Sequence, residues 1–492
     1  MRNAVVTCTW MFLAMSIASG QQSIRFADYF IDRTLRVDYY RTGDSTGETV
    51  TLDQVYEQGT WAGNAGSLLD PSGNGRYRAT VYDVASNRLI YSRGYDTYFG
   101  EYKTTVPARN GVKRTFHETV LVPFPVKPIL FVIERRDRQN LYHPQFSRRI
   151  APDDYHIISE TPARGDDIIE VVNNGDPHRC TDLVIIAEGY VLSEKDKFKS
   201  DLRRYADLLV AWEPYRSFKD RFNIRGIFSP SPQSGVDEPR QHGYRHTLLG
   251  ATFNSLDSDR YLLTENNRLL RDIAAQVPYD AILIMVNSKR YGGGAIYNSF
   301  TAFTSDGPQS EYVFQHEFAH AFAALADEYY TTDVAYDQFF PPGIEPTEAN
   351  ITSLLDPGAL KWKEFVSAGL PIPTPWGQER YDSLTAARDS LNRARGSELE
   401  LLMSRHAMEE EVAKVKLRFN ELTRDVNDRL RRFIQNHPLR GKIGAFEGGG
   451  YVPKGIYRPT VNSLMNQFSE DEKTFYAVNE QAIIRMIRYY TE

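Results

Sequence analysis

The sequence predicts a multi-domain α+β protein. An N-terminal antiparallel β-sandwich spans residues 21–150, and an α/β domain over residues 179–492 carries a helical insertion at residues 378–435. Three patterns lead there. The first third of the chain has short β-branched and aromatic runs separated by turn clusters, as several short antiparallel strands require. The middle alternates apolar strand-like runs with helical periodicity, which is the order of a mainly parallel sheet covered by helices. A late segment is helix-favouring almost throughout, with Gly396 its single glycine.

Strands are expected at Leu35–Tyr40, Tyr77–Tyr82, Arg88–Tyr91 and Ile129–Ile133, with turns at Asp70–Gly75 and at Ser86 and Asn87. Residues 151–178 are polar and rich in Pro, Gly, Asn and Asp, and are read as a linker. Beyond it, Asp182–Ala187, Phe222–Phe228 and Ala281–Val286 read as buried strands. Ser193–Leu209 and Thr264–Ala275 read as helices, and Phe300–Thr304 as an edge strand. In the insertion, Val412, Val415, Phe419, Leu422, Val426, Leu430 and Phe433 recur at steps of three and four, the apolar stripe of a long helical hairpin.

The chain has 492 residues, 41% of them hydrophobic, which excludes wholesale disorder. A net charge of -6 argues against nucleic acid as the main partner, because phosphate contacts favour a basic surface. The first twenty residues have the layout of a signal peptide: Arg2, an apolar run from Ala4 to Ala18, then Ser19 and Gly20. The run is shorter than the roughly 20 residues needed to span a bilayer. A secreted, periplasmic or cell-surface destination is therefore expected, with no transmembrane segment. Cys8 falls inside that leader, so Cys180 is the sole thiol of the mature chain, no intramolecular disulfide can form, and a small buried filler is its expected role. The oligomeric state is not readable.

One stretch carries chemistry: Tyr312 to Tyr329, with His316, Glu317 and His320 in an HExxH arrangement. On a helix two histidines four apart stack on one face, about 6 Å apart along the axis, so both ring nitrogens reach one tetrahedral Zn²⁺. Glu317 points roughly 100° away, placed to take a proton from a water on the metal's open position and later to protonate the leaving amine. With 10 histidines in the chain, a chance match is on the order of 1%. The remaining histidines, at 117, 143, 156, 178, 242, 246, 406 and 437, lack ligand spacing and are expected on surfaces or in loops.

A catalytic zinc needs a third protein ligand. Asp327 lies seven residues past His320, about 10 Å farther along an unbroken helix, so the chain must turn between Ala321 and Asp327. No glycine eases that turn, and an alanine forced into the left-handed region costs about 1 kcal/mol, which metal binding can offset. Asp327 is the first candidate, with Glu328 the competing ligand or a partner to a histidine.

These residues resemble a known group. The His316–His320 helix running into Leu325–Tyr329 is similar to the IgA-peptidase family (metallopeptidase family 64), and so are Phe446–Tyr451, Gly455–Thr460 and Ser463–Met465. The resemblance implies a metzincin-like zinc endopeptidase fold for about residues 182–490, a family-type β-sandwich before it, and a polypeptide substrate. In the family, a Gly-rich loop and a YRP stretch precede a methionine turn beneath the metal, which would make Met465 an apolar floor. Metzincins have a glycine and a ligand where this chain has Ala323 and Ala326, and cleavage of IgA itself is not inherited with the family name. Tyr457 is a candidate donor to the tetrahedral oxyanion. The Gly292–Gly294 loop and Phe300–Phe303 are candidates for pairing with an extended substrate. The competing reading is an exported, non-catalytic binding protein that keeps a structural zinc and recognises host protein or glycan. Glu317 argues against it, since a structural site has no use for that carboxylate.

Overall fold

The computed structural model describes residues 24–159, 165–330, 339–341, 343–405, 408–466 and 473–492. The expected signal peptide lies outside the described residues.

The N-terminal unit contains β1 (Phe30–Gly43), β2 (Glu48–Gln58), β3 (Tyr77–Asp83), β4 (Arg88–Tyr95), β5 (Arg114–Pro125), β6 (Ile129–Arg136), β7 (Tyr142–Ile150) and β8 (Ile157–Ile158). Among the described residues they form two four-stranded sheets, β5-β1-β2-β8 and β4-β3-β6-β7. Pairing is antiparallel except for the short β2–β8 contact. The period of two places alternate residues inward. Leu35, Val37, Tyr39, Val120 and Val122 from one sheet share a core with Ala79, Val81, Phe131 and Ile133 from the other. Short helices α1 (Phe26–Tyr29), α2 (Tyr98–Tyr102) and α3 (Val106–Arg109) complete the unit.

The stretch expected to be a linker is more structured than its composition suggests. Ile157 and Ile158 extend the first sheet, and β9 (Asp167–Val172) joins the next one as an antiparallel edge strand beside β11 (Phe222–Phe228). Its apolar Ile168–Val172 run, broken by Glu170, is too short to stand out among the turn residues around it.

A six-stranded sheet then runs β15-β16-β14-β10-β11-β9. Here β10 is Thr181–Glu188, β14 Ala281–Val286, β15 Gly293–Ile296 and β16 Phe300–Thr304; β12 (Thr252–Phe253) and β13 (Leu262–Leu263) form a small separate ribbon. Its inner pairs are parallel and both edges are antiparallel. Leu183 and Ile185 face α4 (Lys195–Leu209), α6 (Ser310–Ala323) and α9 (Tyr476–Thr491) on one side of the sheet. Val184 and Ile186 face α5 (Asn267–Ala274) and the α2 aromatics Tyr98, Phe99 and Tyr102 on the other. The N-terminal unit thus closes one face of the sheet, and the Arg36–Asp272 ion pair (2.6 Å) ties the two together. Cys180 is buried.

Two element limits differ from the sequence reading. The second helix starts later than expected, because Thr264 accepts a bond from the Asn266 amide and makes a turn before α5 begins. More consequentially, Phe300–Thr304 is not an edge. It lies between β14 and β15, and the edge is β15, whose Gly293 is also bridged by Tyr261 on its outer side. The 300–304 strand therefore offers no free backbone to a substrate.

The insertion is a hairpin of α7 (Gln378–Ser404) and α8 (Glu409–Gln435). Its base is anchored by Trp376, Tyr381, Leu430, Ile434 and Phe446, and its outer half is held by Leu402, Val415 and Phe419 between the two helices. Strands β17 (Phe446–Gly449) and β18 (Val452–Arg458) follow as an antiparallel pair. Among the described residues no helix is long and apolar enough to cross a membrane.

Candidate metal centre

Helix α6 is apolar on nearly every side, so the sequence commits it to the interior. Val313, Phe314, Phe318, Ala319 and Phe322 are all buried in the sheet-facing core. The residues that this leaves facing the cleft include His316, Glu317 and His320. The helix ends where the sequence requires a turn: Ala324 sits at φ 52°, ψ 38°, with its amide bonded to the His320 carbonyl at 3.1 Å. That left-handed residue reverses the chain and returns Asp327 to the histidines.

The three side chains converge. The Nε2 atoms of His316 and His320 are 3.0 Å apart, and Asp327 Oδ1 lies 3.0 Å from the first and 3.3 Å from the second. On the far side of each ring, Nδ1 faces a backbone carbonyl: Leu464 O at 3.0 Å for His316, and Leu325 O for His320. Carbonyls only accept, so each Nδ1 carries a hydrogen and Nε2 is left as the ring atom that can offer a lone pair. Two lone pairs and a carboxylate oxygen then face one another within hydrogen-bond distance, and Asp327 Oδ1 has no hydrogen-bond donor in this buried position. Such a set suits a bound cation. The electrostatics tie the three groups together: burial alone drives Asp327 up, but the imidazoles of His320 and His316 outweigh it and hold the carboxyl well below the usual range. Burial likewise pulls His320 down, and the charge of Asp327 overturns that and pushes it up to about 9, so a proton and a cation compete for the same place on the ring.

Asp327 itself is clamped. Its carbonyl accepts from Gly450 N at 2.9 Å and its Oδ2 from the Tyr451 hydroxyl. Asn350 pairs with both backbone groups of Ala326 at 2.8 Å each. Glu328, the competing candidate, turns away from the histidines. Its carboxylate accepts from Ser463 Oγ (2.8 Å), Asn479 Nδ2 (2.9 Å) and Asn350 Nδ2 (3.1 Å). Burial pushes its pKa up.

Glu317 lines the same cleft, a cavity of about 440 Å³ walled by Tyr261, Tyr291, Tyr329, Phe340 and Tyr451 and rimmed by Asp96 and Glu101 of the N-terminal unit. Burial, reinforced by the nearby Asp327 charge, raises its carboxyl above the ordinary value against the pull of the two histidines. Gly293 makes room for it: a Cβ there would stand 2.8 Å from Glu317 Cγ.

Two comparisons bear on this geometry. A family model described as IgA Peptidase M64 matches residues 169–487, and another described as Peptidase M64 N-terminus matches residues 25–147. The chain belongs to the M64 peptidase family. No curated protein matches it. M64 members are generally metallopeptidases that act on polypeptides, and the HExxH helix with Asp327 falls inside the matched M64 peptidase region.

Within this M64 chain, Tyr457 is not in the cleft. It pairs through its backbone with Thr352 and Glu447 and packs against the cluster of Leu360, Trp362 and Val478, so it is not placed to meet an oxyanion there. The alternation of β18 turns it away. The turn at Ser463–Asn466 does support the site: the Leu464 carbonyl holds His316, the Asn466 carbonyl holds Tyr312 at 3.1 Å, and Met465 is fully buried in the core next to α6. Sequence reasoning missed Tyr451 and Gly293, whose neighbours are set by long-range folding. It also missed the half-buried place of His117, which lies 3.4 Å from both Asp38 and Asp53. That second His–carboxylate group is already neutralised by Arg36 and Arg268.

Proposed function

We propose that this M64 chain is a secreted zinc-dependent endopeptidase in which His316, His320 and Asp327 hold the metal and Glu317 is the general base. The observation that carries the reading is the convergence of two imidazole nitrogens and Asp327 Oδ1 beside the half-buried Glu317 carboxylate in one cleft. The donor set fits: two imidazole nitrogens and one carboxylate oxygen suit zinc and leave a fourth position for substrate or water. A bound zinc ion supplies Lewis-acid polarisation of the scissile carbonyl and acidifies water.

The protein does the rest. Glu317, raised towards the working pH by burial, takes a proton from water at the cleft floor and delivers it to the leaving amine. Arg260, which donates to the Tyr329 hydroxyl at 3.3 Å, brings positive charge to the cleft wall where negative charge develops on the carbonyl oxygen. The aromatic walls exclude water and grip apolar parts of the peptide. The apolar leader supports export, the paired β-sheets a sandwich of the family type, and the turn at Ser463–Asn466 a metzincin-like arrangement.

The test compares cleavage of a mixed quenched-peptide library by the parent and by Glu317→Gln. A loss of about 10²–10⁴-fold in the variant, with metal retained, is expected. Equal cleavage by both would remove Glu317 as the base, and binding of peptides without cleavage by either would favour the binding-protein reading instead.

A further inference from the structure

The loop between β17 and β18 has an unusual backbone. Gly448, Gly450 and Tyr451 have φ of 97°, 54° and 65°, so three of four consecutive residues lie at positive φ. The glycines are required by space as well: a Cβ would come within 2.2 Å of Tyr330 at position 448 and 2.6 Å of Phe340 at position 450. Tyr451 is different. A non-glycine residue in the left-handed region costs on the order of 1–2 kcal/mol, so its backbone alone favours glycine. A strained residue that persists beside a functional site points to what its side chain does.

That side chain reaches the metal centre. The Tyr451 hydroxyl donates to Asp327 Oδ2, and its ring packs edge-on to Tyr329 and Phe339. Its amide bonds to the Tyr329 carbonyl at 3.0 Å, while the neighbouring Gly450 amide takes the Asp327 carbonyl at 2.9 Å. The loop therefore grips the Asp327–Tyr329 segment at backbone and side chain together. With Oδ2 engaged, Oδ1 alone is turned toward His316 and His320.

We propose that Tyr451 is a positioning residue that restricts Asp327 to one-oxygen metal binding and so keeps a coordination place open for the reaction. This rests on the zinc reading of the site. A carboxylate free to bind through both oxygens would fill the place that a catalytic centre needs empty. Partners of this kind that orient a ligand typically change metal affinity by about 10–100-fold when removed.

The experiment is a zinc titration of the full chain against a chromogenic chelator, for the parent, Tyr451→Phe and Tyr451→Gly, with visible spectra of the cobalt-loaded forms. Tyr451→Phe keeps the ring and removes only the donor, so a purely structural tyrosine would leave zinc affinity and the cobalt spectrum alone. The expected result is a zinc affinity about 10–100-fold weaker and an altered cobalt spectrum. Tyr451→Gly relieves the strained backbone but also deletes the ring packed on Tyr329 and Phe339, so it should show the same metal defect with a lower thermal midpoint. Parent-like zinc affinity and cobalt spectrum in Tyr451→Phe would overturn the proposal while leaving the zinc reading intact. A parent chain that takes up no zinc in the same titration would overturn both.

Discussion

Gly293→Ala is the substitution whose effect the geometry defines most sharply. Position 293 is not at positive φ, so alanine meets no backbone penalty there. The new methyl would stand 2.6 Å from Val313 Cγ1, 2.8 Å from Glu317 Cγ and 3.1 Å from Glu317 Oε1. Ordinary contact begins at 3.4 Å, so the first pair falls short by roughly 0.8 Å. Val313 is β-branched and on a helix, with essentially one rotamer, and cannot swing aside. Glu317 is the flexible neighbour and gives way. Over-packing of this kind costs about 1–3 kcal/mol of stability, and a misplacement of about 1 Å at a reacting group costs around 10²-fold in rate. The assay is kcat on a quenched peptide, read beside zinc content and a urea unfolding curve. Zinc content should be unchanged, because the atoms nearest the new methyl belong to Val313 and Glu317 and not to the three ligands. Adding Val313→Ala should restore stability without restoring kcat, separating the packing cost from the displaced base. A Gly293→Ala enzyme whose kcat stays within about twofold of the parent would refute the placement of Glu317 as the base.

Three further outcomes follow from the same structure. Asp182 and Asp280 form a close carboxylate pair in which the Asp182 amide donates to Asp280 at 2.8 Å, and burial first, then mutual repulsion, raises the Asp280 carboxyl. A raised folded-state pKa means stability that is present at low pH and lost as pH rises above the ordinary carboxylate value, so Asp280→Asn should stabilise the protein by on the order of 1 kcal/mol at pH 7.5 and much less at pH 4. Urea midpoints at the two pH values check it. Glu328→Ala leaves Ser463, Asn479 and Asn350 without their shared acceptor, and should cost about 3 kcal/mol in unfolding experiments while the folded fraction still binds zinc. Tyr457→Phe should leave kcat within about twofold of the parent, since its ring packs with Leu360 and Trp362 outside the cleft; a hundredfold loss there would restore it as an oxyanion donor.

The parts legible in the sequence were those fixed by local periodicity. The spacing of His316 and His320 predicted their shared helix face, and the distance to Asp327 required a chain reversal that Ala324 provides at φ 52°. Strands such as Ile129–Ile133 and the helices of the insertion also announce themselves through their own patterning. The misreadings that bear on the site involve long-range neighbours. Phe300–Thr304 looked like an edge because its partner β15 is a glycine-rich run with little strand signal. Asp167–Val172 was hidden by the turn residues around it. Tyr451 and Tyr457 both lie in the family-like stretches, and only the folded backbone, with positive φ at Gly450 and Tyr451, decides that the Tyr451 hydroxyl is the one that reaches Asp327. Nothing in the spacing of Gly293 and Glu317 says that one makes room for the other.

The central claim is that His316, His320 and Asp327 together hold one zinc ion. Elemental analysis of the purified full chain, after dialysis against a trace of zinc, tests it most directly when paired with His320→Ala and Asp327→Ala. The account predicts one equivalent of zinc in the parent and little in either variant, with all three proteins folded by circular dichroism. A folded parent without zinc, or a parent and variants with equal metal, would contradict it.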